Sequence, residues 1–423
     1  MTGAADSSIP LGGNGAEGAL RVRTWSEAEF ASSKYAWDRL LASADADPLF
    51  MSWDWQWRWW SHHAKVLDAS LRLVAFYAGE ALVGLAPFYS RTVIVRRFFT
   101  SRRMEILGIA WRDPRAVFSD YLDLIAARGH ERAVLEALAD WLAAETDWQE
   151  LVLCCTKRDG LACRLASLHL SRLAYVREVD PLTAWRARLP AHFDDYLGRL
   201  DAKIRRKLFH QRRKLARPQI QYATAAEIPE FLGLLGKYSA ARWGGAAPRG
   251  DLHGAFHLDI AQVLERSGEL RLSRLVTEEG ARSVMYNVRK QDTVYYIQSA
   301  FDPEGSRGLS LGTLHFGYAI EAACREGAAR FDFLAGAGKH RDYKQDFLTD
   351  CVPVVSYHAV RGGLARAAYA AYERFKGIWG VWRVCGVRPR WTYSRHGSRP
   401  RPPPMGENLP EPESTEPCVK QRQ

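Results

Sequence analysis

The sequence predicts an α/β (α+β) chain of two related modules in tandem, each a mixed, mostly antiparallel sheet flanked by helices. Three observations predict it. At 423 residues the chain is too long for one ordinary core. A strand–turn–strand layout occurs twice, from Leu71 in "LRLVAFYAGEALVGLAPFYS" and from Leu270 in "LRLSRLVTEEGARSVMYNVRKQDTVYYIQSAF". Each copy is followed by a helical stretch and then a short apolar strand.

Residues 1–20 are small, polar and Gly-rich, with neither the basic start nor the apolar middle of a secretory signal, and are expected as a disordered leader. The first module is expected over 21–185. Within it "FMSWDWQWRWW" from Phe50 reads as a helix, with Ser52 as N-cap and Asp54 favourable in the first turn. Helical spacing puts Trp53, Trp57 and Trp60 on a packing face. Trp55 and Trp59 then point elsewhere, and Trp59 is the candidate flat surface for an acceptor.

The turn at Ala78-Gly79-Glu80 joins the first two strands. From Glu131, Val134, Leu135, Leu138, Trp141 and Leu142 recur at helical spacing, and "ELVLCC" from Glu150 is the strand after that helix. The second module is expected over 186–360. It opens with one long basic helix from Ala191 to about Ala216, then a strand near Ile220 and two further helices. Its meander turns at Glu279-Gly280 and Gln291-Asp292, the helix starts near Leu311, and "ARFDFL" from Ala329 is the following strand. Residues 361–396 read as a basic amphipathic helix that either lies on a membrane or docks on the second module. The tail 397–423 holds seven prolines and cannot bury a core, so disorder is expected.

A formal charge of +11 is concentrated in "KIRRKLFHQRRKLAR" from Lys203 and in the segment from Arg361 onward, with twelve Lys/Arg against five Glu. Such clusters suit phosphates, anionic headgroups or acidic polymers, or they are solvated helix faces. Seven cysteines without a C-x-x-C argue against a disulfide framework or zinc knuckle and for a reducing, cytoplasmic setting. No apolar run approaches the roughly 20 residues that span a bilayer. His62-His63 lacks a spaced partner for a metal, so none is expected.

Chemistry concentrates in "YYIQSAFDPEGSRGLSLGTLHFGYAIEAA" from Tyr295. A strand runs through a turn into Arg307, Gly308, Leu309, Ser310, Leu311 and Gly312, and then an apolar helix. Unpaired N–H groups and the dipole at a helix start favour an anion, and the small residues allow close approach of a diphosphate. The plain alternative is a Gly/Ser helix start with no ligand.

Arg307-x-x-Ser310-x-Gly312 resembles the pyrophosphate loop of the GNAT superfamily of acyl-CoA-dependent acyltransferases, with Ser310 in place of the first glycine. More narrowly the chain resembles CelD/BcsL-type cellulose-biosynthesis acetyltransferases, which share a tandem fold with Fem-type aminoacyl transferases. The resemblance runs over about residues 25 to 355 and is carried by "PLFMSWDWQWRWW", "LVGLAPFY", "IRRKLFHQRRKL", "IQSAFDPEGSRGLSLGTL" and "FDFLAGAGKHRDYKQDF". It implies acetyl-CoA or another acyl-CoA as cosubstrate, one site in the second module, and a first module that walls the acceptor cleft.

In "AGAGKHRDYKQDF", Lys344 follows an aromatic residue where Fem-type enzymes similarly have an aromatic–lysine pair implicated in catalysis. It is the candidate for steadying the oxyanion, with a surface pair with Asp342 as its alternative. Tyr343 is the candidate acid for the departing thiolate. Asp332, on a strand with Phe331 and Phe333 facing the other way, is a candidate base or acceptor-orienting group, and Gln298 a candidate acceptor ligand.

The function expected is transfer of an acetyl or longer acyl group to an amine or hydroxyl on a small molecule, sugar or exopolysaccharide precursor. The expected location is the cytoplasm, with peripheral attachment at the inner face of the membrane beside polysaccharide-synthesis machinery. Two alternatives stand beside it: Fem-like transfer from charged tRNA, the only nucleic acid in view, and a non-catalytic accessory role in a membrane polysaccharide complex.

Overall fold

The computed structural model describes residues 19–95, 99–243, 251–304, 308–335 and 341–362. Nearly all of the expected leader, Arg307, all but Arg361 and Gly362 of the amphipathic segment, and the tail lie outside the described residues. The architecture is mixed α/β, with helix-flanked meanders recurring in the two halves of the chain, as the sequence predicts.

In the first half Ser70–Ala78, Ala81–Val95 and Phe99–Ile106 form an antiparallel meander, turned at Gly79, whose φ of +59° suits a residue without Cβ. Phe99–Ile106 then runs parallel to Glu150–Lys157 through three rungs, Arg103↔Glu150, Met104↔Leu151 and Glu105↔Val152. The second half repeats the device. Leu270–Thr277, Gly280–Lys290 and Thr293–Phe301 form the meander, and Thr293–Phe301 runs parallel to Arg330–Ala335 only at Thr293↔Arg330, Val294↔Phe331 and Tyr295↔Asp332. Beyond those rungs the two strands are no longer paired, which leaves a gap in the ladder.

Both halves belong to one 13-stranded sheet. Thr349–Val360 pairs with Glu150–Lys157 on one side and Tyr175–Arg188 on the other, and Tyr175–Arg188 pairs in turn with Arg330–Ala335. The boundary expected after residue 185 therefore falls inside a strand.

The tryptophan helix is Trp53–Leu67. Ser52 Oγ accepts from the Trp55 amide at 3.3 Å, and the helix ends at Asp68 in the left-handed region. Its faces are those expected only in part: Trp53 and Trp60 are buried as predicted. Trp55 and Trp59 are fully enclosed, whereas Trp57 is half-buried. The helix is covered on two sides: Trp55 and Trp59 donate their indole N–H to Ser119 Oγ and the Val117 carbonyl at 2.8 and 3.0 Å, and Trp55 lies edge-on to Phe256 of helix Asp251–Arg266. Each such ring removes about 150–250 Å² from water, a gross gain on the order of 4–6 kcal/mol.

The long basic helix is also broken up, into Phe193–Arg199, Ala202–Leu208 and a 3-10 turn His210–Lys214. Extended backbone at Leu200 and Asp201 interrupts it. Ile204 and Leu208 turn inward while Lys203 and Arg206 are exposed. Among the described residues no helix is long and apolar enough to cross a membrane.

Candidate active site

The strand Arg330–Ala335 loses its regular pairing with Tyr175–Arg188 between Asp332 and Ala335. Leu334 there has φ +57°, a left-handed conformation that costs a branched side chain free energy and persists only where its surroundings hold it. The bulge turns the carbonyls of Phe333 and Leu334 toward Lys344, whose Nζ donates to them at 2.6 and 2.9 Å. Lys344 comes from the 3-10 turn Arg341–Phe347 and is buried. Burial lowers its pKa to about 8, and the charges of Asp120 and Asp332 oppose that fall.

Asp332 is fully buried with its oxygens occupied. Oδ2 accepts from Arg186 Nε at 2.8 Å, Oδ1 accepts from the Leu334 amide at 2.8 Å, and Tyr121 Oη lies 3.0 and 3.1 Å from the two. Asp332, the expected base, also serves as a brace: its lone pairs hold the bulge, Arg186 and Tyr121. Nearby, Asp47 accepts from the Leu49 and Phe50 amides and from Tyr295 Oη.

The adjoining carboxyl, Asp120, differs. It is 5 % exposed, and among the described residues its Oδ1 has no hydrogen-bond partner. Burial pushes its pKa up to about 8, with Lys344 pulling it down and Asp332 and Asp47 pushing further. Sequence reasoning passed over Asp120, Tyr121 and Arg186. The available signal was "FSDYLDL", where two acids and a tyrosine interrupt an apolar run.

The helix Leu311–Arg325 begins where expected, with Ser310 at the N-cap, Gly308 at φ +74° and the Leu314 amide returning to the Ser310 carbonyl. The leading amides of this helix, Leu311 to Thr313, precede the first residue able to bond within it, and the dipole makes its start positive. One part of the expected cradle is closed. The Ser310 amide donates to Gln211 Oε1 at 3.0 Å. A Cβ on Gly312 would meet only the Phe301 ring, at 3.5 Å.

The basic segment reaches this helix because Gly317 allows it: a Cβ there would lie 2.0 Å from the Leu208 carbonyl oxygen. Arg212 completes the dock over the Tyr318 ring, 3.7 Å away, and pairs with Glu321. Phe316 of the same helix contacts Phe333, Tyr343 and Phe347, joining the helix to the Lys344 turn.

Tyr343 is the most exposed of the expected catalytic residues. Gln298 is half-buried and donates to Ser239 Oγ at 3.3 Å. Trp59 is not at the cleft, since its ring is fully enclosed beside His63 and Tyr89. His62 pairs with Asp259, and among the described residues no three His, Cys, Asp or Glu side chains gather as a metal site.

Residues 202–345 match the family described as "Acetyltransferase (GNAT) domain", the segment that contains the Ser310 helix start, Asp332 and Lys344. No curated protein matches the sequence. Among solved structures, "Crystal structure of FemX" is similar at 12% identity with a TM-score of 0.53, covering 80% of this chain and 97% of that one. A conserved protein of unknown function from Bacteroides thetaiotaomicron has 11% identity and a TM-score of 0.49, covering 81% and 100%. A tandem GNAT protein from the clavulanic acid biosynthesis pathway has 14% identity and a TM-score of 0.44, covering 81% and 99%. The FemX likeness supports the fold; the match over 202–345 identifies a GNAT acetyltransferase domain within the chain.

Proposed function

We propose, taking the GNAT acetyltransferase domain at residues 202–345 as the premise, that this enzyme moves an acyl group from coenzyme A to an amine or hydroxyl. The observation that carries the reading is the joining, through Phe316, of an anion-favouring helix start to a buried lysine braced by two carbonyls. In that reading the amides of Leu311 and Gly312 receive the diphosphate, and Arg307 adds charge. Gly308 and Leu309 give the approach, and Ser310 contributes its hydroxyl. Thioester and pantetheine lie in the gap beyond the Tyr295↔Asp332 rung, where unpaired strand edges bond the pantetheine amides. Lys344 steadies the oxyanion, and Tyr343 or Lys344 returns a proton to the thiolate. Gln298 faces the acceptor after releasing Ser239. The resemblance to CelD/BcsL-type enzymes favours a sugar or exopolysaccharide precursor as that acceptor.

Calorimetry with acetyl-CoA tests this. The expected result is binding by the wild type and its loss in Gly312→Trp, whose indole fills the helix start. No binding by the wild type, or equal binding by the variant, overturns the reading.

One observation favours a second reading, aminoacyl transfer from charged tRNA: the basic segment Lys203–Lys214 docks on the same helix as the anion site. RNA affinity that survives about 0.2 M salt would support it, because purely phosphate-directed binding fades steeply with salt.

A further inference from the structure

The first half of the chain sends one unsatisfied group into the second half's site. Asp120 follows the strand Phe99–Ile106 by a loop, yet its neighbours include Lys344 on the 3-10 turn, Asp332 and Ala335 on the bulged strand, Asp47, and Cys155 on Glu150–Lys157. Tyr121, next in the chain, is tied to Asp332 and lies under Arg186. The other buried aspartates of this cluster have several donors each: Asp332 has Arg186, Tyr121 and the Leu334 amide, Asp47 has Tyr295 and two amides, and Asp123 has three amides. Asp120 has a backbone hydrogen bond from Ala335, yet alone among these four it keeps one buried oxygen, Oδ1, without a partner among the described residues. A buried carboxyl left in that state costs about 1–3 kcal/mol or more, which a structural role does not repay.

We infer that Asp120 is the general base of the reaction and that it works as a proton couple with Lys344, so that the catalytic centre is assembled from both halves of the chain. The inference rests on the acyl-CoA reading above. As the acceptor nitrogen or oxygen forms its bond to the thioester carbonyl carbon, Asp120 Oδ1 takes the acceptor's proton. When the adduct collapses the carbonyl re-forms, the C–S bond breaks, and its electron pair leaves on sulfur. The Lys344 ammonium supplies the proton that makes the thiol. Transfer of the proton held by Asp120 to Lys344 then restores both groups, and the net change is acceptor X–H plus thioester giving acylated acceptor plus thiol. The competent state holds Asp120 ionised and Lys344 protonated. With both groups near 8, the rate is a bell centred close to pH 8.

The test uses the full chain and acetyl-CoA, with thiol release followed from pH 6 to 10. The acceptors are glucosamine and hydroxylamine. Both lose a proton on acylation; glucosamine is the more basic amine, and hydroxylamine is the less basic and more nucleophilic one, whose attack depends less on a base. Asp120→Asn is expected to bind acetyl-CoA within about twofold of wild type and to lose at least ~100-fold in kcat with glucosamine. Its acidic limb should vanish, and hydroxylamine turnover should be far less affected. Asp120→Ala is expected to recover activity with added formate, which a purely structural role would not allow. Retention of the acidic limb and of kcat in Asp120→Asn, or no formate rescue in a folded Asp120→Ala, overturns the assignment alone. A wild type that binds no acetyl-CoA, or binds it and releases no thiol with either acceptor, overturns it together with the reading beneath it.

Discussion

The phenol of Tyr121 donates to the carboxylate of Asp332 across 211 residues of chain, with Oη 3.0 and 3.1 Å from the two oxygens. This bond fastens a loop of the first half to the bulge of the second, and Arg186 shares the same carboxylate. Tyr121→Phe removes one neutral donor and should cost about 1 kcal/mol. Arg186→Met removes the cation hydrogen-bonded to the fully buried Asp332 and should cost roughly 3–5 kcal/mol. Urea unfolding of both variants checks the ranking; equal losses would contradict it.

Asp120 gives stability a pH dependence of defined sign. Its carboxyl titrates at about 8 in the fold, whereas in the unfolded chain it titrates near ~3.9. Between those values the native state holds the extra proton, so this contribution is full below ~3.9 and is lost as pH rises through about 8. Asp120→Asn removes that dependence and should gain stability relative to wild type between pH 5 and pH 8. Urea midpoints of the two proteins at both pH values decide it, and a drift the other way would contradict the buried titration. Lys344, lowered to about 8, acts between that value and the ~10.4 of the unfolded chain, where the unfolded chain keeps the extra proton and stability rises with pH.

Gly317→Ala should push helix Leu311–Arg325 away from the basic segment, because the added methyl would lie 2.0 Å from the Leu208 oxygen and backbone cannot easily yield. A loss of about 2–3 kcal/mol is expected, together with weaker acetyl-CoA binding as the whole helix start is displaced from the gap beside Arg330–Ala335. Chemical denaturation and calorimetry read the two effects, and a neutral outcome in both would rule out the tight dock.

Gln211→Ala frees the Ser310 amide for an incoming phosphate. Acetyl-CoA affinity should rise about three- to tenfold, on the order of one net hydrogen bond. A fall in affinity would instead make Gln211 a ligand of the diphosphate.

Trp59→Ala should cost roughly 3–5 kcal/mol, since it empties a fully enclosed site, and Trp57→Ala distinctly less. If thermal unfolding showed the reverse order, the helix faces assigned here would be wrong.

Local chemistry in the sequence announced the meander turns and the Ser52 and Ser310 helix starts, because turns and caps depend on neighbouring residues, but not the strands Phe99–Ile106, Tyr175–Arg188 and Thr349–Val360 that join the two halves. The tryptophan faces were not legible, since periodicity identifies a helix but not how many sides are covered, and Asp251–Arg266 covers a second one. The basic helix was overextended because the charge run concealed the break at Leu200-Asp201. At the site, Lys344 and Asp332 stood in recognisable surroundings, but the saturation of Asp332 and the surroundings of Asp120 depend on residues some 200 positions away. Gln211, like them, meets its partner only after the basic segment folds back onto the helix.

The place of Thr349–Val360 between Glu150–Lys157 and Tyr175–Arg188 bears on biogenesis. A nascent chain that has delivered only its first half holds a central slot open, with both flanking edges exposed until residue 360 leaves the ribosome. Completion of the early portion is thus deferred to the last of the described strands, which favours slow, all-or-none maturation and makes the vacant slot a site for chaperone capture or mispairing.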